Sequence, residues 1–453
     1  MTEQGSNPGI ADLRPLERAK EQRAWYFYDW ANSAFSTTIA GVLFGPYLIA
    51  IAEADAVDNR ISVLGLSVAP GALPAYVVTA STLVSAILLP LLGAVADRTE
   101  RKKDLLAGFA WAGAAAAAML FFVTGDNWQL GAVTFIVANI CFGAAAVFND
   151  AILCLISDEN ERDRVSSRGW AYGYAGGGLL LAVNFVVVTL HETFGLTEGM
   201  AVRISMLSAA MWWAAFTFIP YRGLRNHPVV AVEGVEGSVF ARSFGQLWAT
   251  LKDLRNYPVA LTFLLAYLFF NDGIQTVIGQ AAVYGEEELG FETGTVLGTY
   301  LLVQFVAVFG ALAFGRAAAR YGAKSTILFG LVLWSMIVTV ALFLPDGALV
   351  PFLALGAAIG IVLGGTQALS RSYFSLLIPR GKEAEYFSFY HAMERGTSWF
   401  GALVFGLVYQ FTDSYRPAIF ALIVFFIVGG LLLLKVDTAK GIRQAGNDRP
   451  PVI

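Results

Sequence analysis

The chain has 453 residues, of which 57% are hydrophobic and 14% are charged, against roughly 25% charged residues in a soluble domain. Its net charge of −4 is spread over polar segments, and no basic face suggests nucleic acid as a partner. The long apolar runs reach the ~20 residues needed to cross hydrocarbon. The composition therefore excludes an ordinary soluble domain and predicts a polytopic protein embedded in a lipid bilayer.

The apolar runs predict an all-α protein with twelve transmembrane helices, numbered here 1 to 12. Their ranges are 26–52, 72–96, 104–124, 130–156, 168–190, 201–221, 258–283, 294–319, 325–344, 349–377, 386–411 and 416–436. Residues 1–24 form a polar tail without the apolar region of a signal peptide. The predicted units are two six-helix bundles, 25–221 and 258–436, joined by a linker and followed by a second tail over 437–453. The linker, 222–257, carries an apolar stripe from Phe240 to Leu254 that is typical of an amphipathic helix on a membrane surface.

Positive charge predicts the orientation of the chain. Nearly all of the 30 lysines and arginines lie in alternate gaps between the predicted helices or in the two tails. Only Arg60, Arg203 and Arg416 lie in the opposite gaps or at the helix ends that border them. Cytoplasmic segments of membrane proteins carry such an excess of cations. We therefore expect both termini in the cytoplasm.

One further cation, Arg395, lies well inside predicted helix 11. A charge near the bilayer midplane costs several kcal/mol unless it is paired or wetted, and it marks function more often than accident. The adjacent Glu394 projects about 100° away along the helix, so Asp272 in helix 7 and Asp150 in helix 4 are better partners. We expect Arg395 to hold a substrate carboxylate or another anion, while Asp272 takes the substrate cation or the coupling proton. The alternative is a permanent buried pair between Arg395 and Asp272 that only fixes helix packing.

A short basic turn that starts with glycine occurs in both halves of the chain. It closes helix 2 with Gly93, Asp97, Arg98, Arg101 and Lys102, and helix 8 with Gly315, Arg320, Gly322 and Lys324. Such a repeat indicates duplication of a six-helix unit. The acid and the cations of the first copy suit a charge lock between the bundles that forms in one conformation.

The basic turn resembles the loop signature of the major facilitator superfamily, with Glu100 in place of the usual glycine and Ala319 at the acidic position of the second copy. A more specific resemblance is to the vacuole-effluxer branch, which contains autophagy-related amino-acid exporters. Four segments carry it: Tyr28-Asp29-Trp30-Ala31-Asn32-Ser33-Ala34-Phe35, Arg168-Gly169-Trp170-Ala171 with Gly173-Tyr174, Asn271-Asp272-Gly273 with Gln275-Thr276, and Gln367-Ala368-Leu369-Ser370-Arg371-Ser372. The resemblance implies the two-bundle major facilitator fold and transport by alternating access.

In this kind of fold, helices 1, 4, 7 and 10 are expected to line a central cavity, and each carries polar side chains that lipid would not tolerate. They are Asp29 and Asn32, Asn149 and Asp150, Asn271, Asp272 and Gln275, and Gln367 and Ser370, to which helix 11 adds His391, Glu394 and Arg395. We expect Asp29, near the cytoplasmic end of helix 1, to form a gate or a structural ion pair, with direct substrate contact as the alternative. The Asn-Asp-Gly sequence disfavours regular helix, so we also expect a local break in helix 7. His391 could relay protons.

The leading hypothesis is a monomeric secondary transporter, coupled to protons, that exports or exchanges amino acids or similar small zwitterions. Another small metabolite or an organic anion is the alternative substrate, and a membrane sensor or scaffold that binds without translocating is the alternative from another class. An enzyme is not expected. With three histidines and no nucleotide-binding loop, neither metal, cofactor nor ATP is expected. The composition suits a bacterial inner membrane.

Overall fold

The computed structural model describes residues 15–227 and 254–450 of the chain. Eleven single positions within these ranges are outside the description: 59, 64, 69, 71, 72, 98, 159, 292, 397, 413 and 449. The predicted amphipathic stripe of the linker lies almost entirely outside the described residues.

Long helices dominate the described chain, and we number them α1 to α13. They are α1 (Pro15–Ala34, continued by the π-helical segment Phe35–Leu43 and by Phe44–Ala54), α2 (Leu73–Asp97), α3 (Lys102–Ala118), α4 (Trp128–Ile156), α5 (Arg162–Thr189), α6 (Glu198–Gly223), α7 (Pro258–Val283), α8 (Thr293–Tyr321), α9 (Ala323–Leu342), α10 (Leu349–Leu376), α11 (Glu383–Gly396 and Ser398–Thr412), α12 (Tyr415–Ala421 and Ile423–Leu434) and α13 (Thr438–Ala445). Eleven described helices are long and apolar enough to cross a membrane. The divided α11 completes the set of twelve transmembrane helices that the sequence predicts.

Three elements differ from the expected boundaries. Helix α1 begins at Pro15 rather than at residue 26, because its polar first turns are held by ion pairs such as Arg18 to Glu161 at 3.1 Å. An antiparallel hairpin, β1 (Ile61–Val63) and β2 (Leu66–Val68), occupies the loop after α1. The C-terminal tail forms α13, which begins with Asp437 as its N-cap. Short polar elements of this kind lack the long apolar run that reveals a transmembrane helix.

The predicted break in helix 7 is wrong, since α7 is continuous from Pro258 to Val283. The reason lies in packing against α12. A Cβ on Gly273 would lie 2.9 Å from the Cβ of Phe425, so the glycine lets two helices approach closely rather than ending one. Tertiary contact overrides the low helix propensity of the Asn-Asp-Gly sequence.

We call the end of the molecule at which α1 begins and α12 ends the tail end. Helices from both halves meet there: the Arg162 guanidinium at the start of α5 donates to the backbone oxygen of Ser375 near the end of α10, at 3.4 Å. The Ser166 hydroxyl of α5 donates to the backbone oxygen of Ala368 of α10 at 2.8 Å. The tail end is therefore closed by contacts between the two halves.

The two copies of the basic turn begin at equivalent contacts in this closure. A Cβ on Gly93 of α2 would lie 2.7 Å from the Ser388 hydroxyl oxygen of α11. A Cβ on Gly315 of α8 would lie 2.6 Å from the Ser167 hydroxyl oxygen of α5. Only glycine fits at such distances without a shift of the neighbouring helix. Each repeated glycine thus lets one half of the chain pack directly on the other.

Replacing Gly315 by alanine is expected to open the tail end, because overpacking costs roughly 1–3 kcal/mol and would raise the open population on the order of tenfold. Cys154 is 2% exposed near the tail end of α4 and reports on this opening. In a Cys141→Ala background, alkylation of Cys154 by a soluble maleimide should accelerate by the same factor. Gly108→Ala is the matched control, since a Cβ there meets nothing within 4 Å. Equal alkylation rates in the two variants would contradict the assigned role of Gly315.

Candidate functional site

A central cavity of about 470 Å³ lies between the two halves. Four helices of the first half (α1, α2, α4 and α5) and four of the second (α7, α8, α10 and α11) line it. Its charged and amide side chains are Asp29, Asn32, Asn139, Asn149, Asp150, Gln275, Gln304, Gln367, Arg371 and His391. This volume lies in the range of sites for small molecules, which is roughly 300–1,000 Å³.

Helical periodicity explains which side chains reach the cavity. On α1 the lining residues are Asp29, Asn32, Ser33, Ser36 and Thr37, which recur at spacings of three and four and so share one face. On α10 every fourth residue lines the cavity, namely Leu363, Gln367 and Arg371. The face that α1 turns to the cavity is therefore polar, and that of α10 changes from apolar at Leu363 to polar at Gln367 and Arg371.

Arg371 is the buried cation at the tail end of the cavity, and it is 5% exposed. Its guanidinium bridges carboxylates on two helices of the first half: Nη1 lies 3.3 Å from Asp150 Oδ1 and Nη2 lies 3.4 Å from Asp29 Oδ2. Nε donates to the Ser166 hydroxyl at 2.9 Å, and Nη2 also donates to the Ser166 backbone oxygen at 3.0 Å. One cation of α10 thus engages α1, α4 and α5 at once.

Two tryptophan rings also face this guanidinium. Its central carbon lies 4.9 Å from the ring centre of Trp25 and 5.5 Å from that of Trp170. Cation–π contacts are strongest when the cation is desolvated, as it is here. Arg371 is therefore held by aromatic faces as well as by anions.

The carboxylates have further partners. Asp150 Oδ2 lies 2.9 Å from His391 Nε2 of α11, and Asp29 Oδ1 accepts a hydrogen bond from Asn149 Nδ2 at 3.2 Å. We call Asp29, Asp150, Arg371 and His391 the charge cluster. With the histidine neutral, two carboxylates share one guanidinium, and the cluster carries one excess negative charge. It joins the first half, which supplies the acids, to the second half, which supplies the bases.

The structure puts Asn271 and Asp272 outside the cavity lining, although both are buried. Asp272 Oδ2 accepts a hydrogen bond from the backbone nitrogen of Gly401 at 2.8 Å. Gly401 lies in the first turn of the segment Ser398–Thr412, where backbone N–H groups lack acceptors within the helix. Asp272 therefore caps the second segment of α11, a role that the sequence did not indicate.

The Glu394 and Arg395 side chains lie outside the described residues, and so do the Asp97 side chain and Arg98. The pairing of Arg395 with Asp272 stays a prediction.

Three further gating candidates have local contacts. Arg101, the N-cap of α3, pairs with Asp104 in the first turn of that helix at 2.9 Å. Lys102 donates to the Thr99 backbone oxygen at 3.2 Å, and Arg320 lies over the ring of Tyr321.

The sequence alone does not reveal the role of Arg371. This residue lies near the cytoplasmic end of predicted helix 10, so the charge pattern groups it with the cytoplasmic cations. The signal was present, since Arg371 shares a helical face with Gln367, one turn earlier. Its two acidic partners were both identified as polar residues of the cavity. The distance of Arg371 from the end of its helix favours a cytoplasmic position, but that distance does not show which other helices pack around the side chain.

Removing the Arg371 charge is expected to destabilise the protein, because a buried pair that loses one partner costs roughly 3–5 kcal/mol. Arg371→Ala should lower the free energy of unfolding in detergent by about that amount. Asp29→Asn should then lower the free energy of unfolding less in the Arg371→Ala background than in the wild type. The difference, which is the coupling energy, should be roughly 0.5–3 kcal/mol.

Arg101→Ala serves as the control for this cycle, since the Arg101 side chain is 75% exposed and its ion pair should contribute less than about 1 kcal/mol. Strictly additive effects of Arg371→Ala and Asp29→Asn would contradict the shared cluster.

Known proteins resemble the chain over nearly its whole length. A family model described as "Vacuole effluxer Atg22 like" matches residues 17–446. The MFS-type transporter YxiO of Bacillus subtilis is 32% identical over 435 residues, which cover 95% of this chain and 98% of that protein. Autophagy-related protein 22-1 of Neosartorya fischeri is 24% identical over 568 residues, covering 96% and 92%.

The same architecture occurs among solved structures. The MFS proton:xylose symporter XylE, bound to 6-bromo-6-deoxy-D-glucose, superposes with a TM-score of 0.70 over 95% of this chain and 98% of its own. The two sequences are only 13% identical. At this identity the likeness shows a shared fold and not a shared substrate.

Proposed function

The chain belongs to the vacuole effluxer Atg22 like family of major-facilitator transporters, and on that premise we propose that it carries amino acids or similar small zwitterions by alternating access coupled to protons. It is a multi-pass integral membrane protein of the MFS transporter type and not an enzyme. The substrate, the coupling ion and a bacterial plasma membrane location are the proposed part. The tail end would then face the cytoplasm, following the bias of lysine and arginine.

The observation that carries the proposal is the position of the charge cluster at the closed end of the cavity. Its acids belong to one half and its bases to the other, so the tail end opens only if the contacts of Arg371 with Asp29 and Asp150 break. Water or a charged ligand must replace those contacts, because an unpaired charge in low dielectric is costly. Binding in the cavity and opening of the tail end are thereby linked.

Two features support a zwitterionic substrate and a proton. The cavity wall combines carboxylates with several amides, which hydrogen-bond to both ammonium and carboxylate groups. The pair formed by Asp150 and His391 supplies a histidine, the side chain that unperturbed changes its charge between pH 5 and 8. Arg395 remains the proposed ligand for the substrate carboxylate. Because Asp272 is engaged by Gly401, the charge cluster replaces it as the proposed site for the ammonium group or the proton.

Organic anions are supported less well than zwitterions. Among the described lining residues, carboxylates outnumber guanidinium groups, and the guanidinium of Arg371 is already occupied.

Counterflow in proteoliposomes tests the proposal. Purified protein is reconstituted with unlabelled amino acids inside, and a labelled panel is added outside with and without a pH gradient. We expect at least one amino acid to accumulate transiently and an imposed pH gradient to change its steady-state level. Asp150→Asn should lose both the accumulation and its response to the gradient, because the cluster has lost the excess negative charge that would hold the ammonium group or the proton. Absence of counterflow for every amino acid in well-folded protein would contradict the proposed substrate, while binding without accumulation would point to a sensor.

A further inference from the structure

Asn149 offers an unfilled acceptor beside the charge cluster. Its Nδ2 donates to the Asp29 carboxylate, and since a carboxylate only accepts, this bond fixes the orientation of the amide. The other atom, Oδ1, is buried in the cavity wall and has no hydrogen-bond partner among the described residues. A buried carbonyl without a donor is desolvated with no hydrogen bond to compensate. This carbonyl oxygen is therefore an unsatisfied acceptor in the cavity wall next to Asp29.

A second unfilled acceptor lies on α8. Gln304 is 5% exposed, and its Oε1 is likewise buried without a partner in the described part of the chain. Gln304 lines the central cavity beside Tyr300 and Ile278. Eleven residues separate it from Gly315 at the tail end, or roughly 16 Å along the helix. The cavity wall thus contains two unsatisfied acceptors, one beside the charge cluster and one on α8.

The N–H donors of the one guanidinium in the charge cluster are already used. Arg371 donates through Nε, Nη1 and Nη2 to Ser166, Asp150 and Asp29. The cluster still carries one excess negative charge when His391 is neutral. A ligand that complements these groups brings positive charge and N–H donors.

Aromatic rings border the same region. Tyr267 and Tyr390 stack with their ring centres 4.1 Å apart, and Trp170 and Tyr174 lie 5.6 Å apart. All four line the cavity. Aromatic faces attract desolvated cations, so these rings favour an ammonium group over an anion.

We propose that the cavity recognises its substrate through an ammonium group held by Asp29, Asp150 and the Asn149 carbonyl, and that a proton occupies the same cluster when the substrate is absent. The ligand class is protonated primary amines, including amino acids. The ammonium group alone suffices for binding, and the carboxylate of an amino acid adds the contact proposed for Arg395. One cation bound displaces one proton, so the charge of the site stays constant and the carrier exchanges substrate for protons. This inference rests on the proposed function, since it specifies the ligand of the same cavity.

The ionisable groups around the cluster come from six helices. They are Tyr28 and Asp29 on α1, Asp150 on α4, Tyr174 on α5, Tyr267 on α7, Arg371 on α10, and Tyr390 and His391 on α11. The two aspartates and the histidine are adjacent through Asp150, which contacts both Arg371 and His391. The proton that a ligand displaces is therefore assigned to Asp29, Asp150 and His391 together and not to one of them.

Isothermal titration of purified full-length protein at pH 7 tests the inference with three sets of probes. They are alanine, ethylamine and propionate; leucine, 3-methylbutylamine and 4-methylpentanoate; and phenylalanine, 2-phenylethylamine and 3-phenylpropionate. Within the set that binds, the amine should bind no more than about thirtyfold more weakly than the amino acid, which also has the Arg395 contact. The acid should bind at least about thirtyfold more weakly than the amine. Repeating the titration in buffers of different ionisation enthalpy should report release of about one proton per ligand.

Asn149→Ala removes the unfilled acceptor and should weaken the amine about tenfold, the loss expected for a hydrogen bond to a charged group. Asn184→Ala is the matched control, because Asn184 is also buried but bonds to the Ser205 backbone oxygen away from the central cavity. Its affinity for the amine should stay within twofold of the wild type.

Tight binding of the acids without the amines would overturn the inference while leaving amino-acid counterflow, and so the proposed function, intact. Binding of an amine without proton release would overturn the exchange. If none of the nine compounds binds, ammonium recognition fails, and counterflow then decides separately whether the proposed function fails with it.

Discussion

The structure depends on one buried guanidinium that two carboxylates from the opposite half of the molecule share. The guanidinium of Arg371 on α10 lies 3.4 Å from Asp29 of α1 and 3.3 Å from Asp150 of α4. Its Nε donates a hydrogen bond to Ser166 of α5. None of these charges is tolerable alone at this depth, because the desolvation of a single ion costs several kcal/mol. The positions of four helices are therefore tied to one another by electrostatics, while glycine contacts at Gly93 and Gly315 bring the backbones close enough for the pairing.

An interaction that closes one end of a cavity is also the interaction that must be broken when that end opens. The charge cluster stands between the cavity and the tail end, and its acids and bases separate with the two halves of the chain. In the mechanism that we propose, a proton or a substrate cation neutralises Asp29 or Asp150 from within the cavity and weakens the ion pairs of Arg371. The closed state is thus sensitive to the occupant of the cavity through ordinary charge balance, without a separate signalling element.

Much of this arrangement was readable from the sequence, because depth and periodicity are properties of single helices. The polar residues Asn32, Asn149, Asp150, Gln275 and Gln367 were expected at a central cavity, and the structure lines the cavity with them. The role of Arg371 was not readable, since its burial depends on α1, α4 and α5 packing around the end of α10. The position of Asp272 away from the cavity depends in the same way on α11, whose Gly401 amide it caps. Rotation about the helix axis and the identity of the neighbouring helix are set by tertiary packing, which a linear pattern does not record.

The central claim is that the charge cluster holds the tail end closed, and the separation of α5 and α8 measures this directly. Spin labels at Arg164→Cys and Ala319→Cys, in a background without Cys141 and Cys154, lie on the exposed surface of the two helices beside the Gly315 contact. Double electron–electron resonance should give one short distance for the otherwise unchanged protein and a second, longer distance in the Arg371→Ala variant. An identical, short distance distribution in both proteins would contradict the claim.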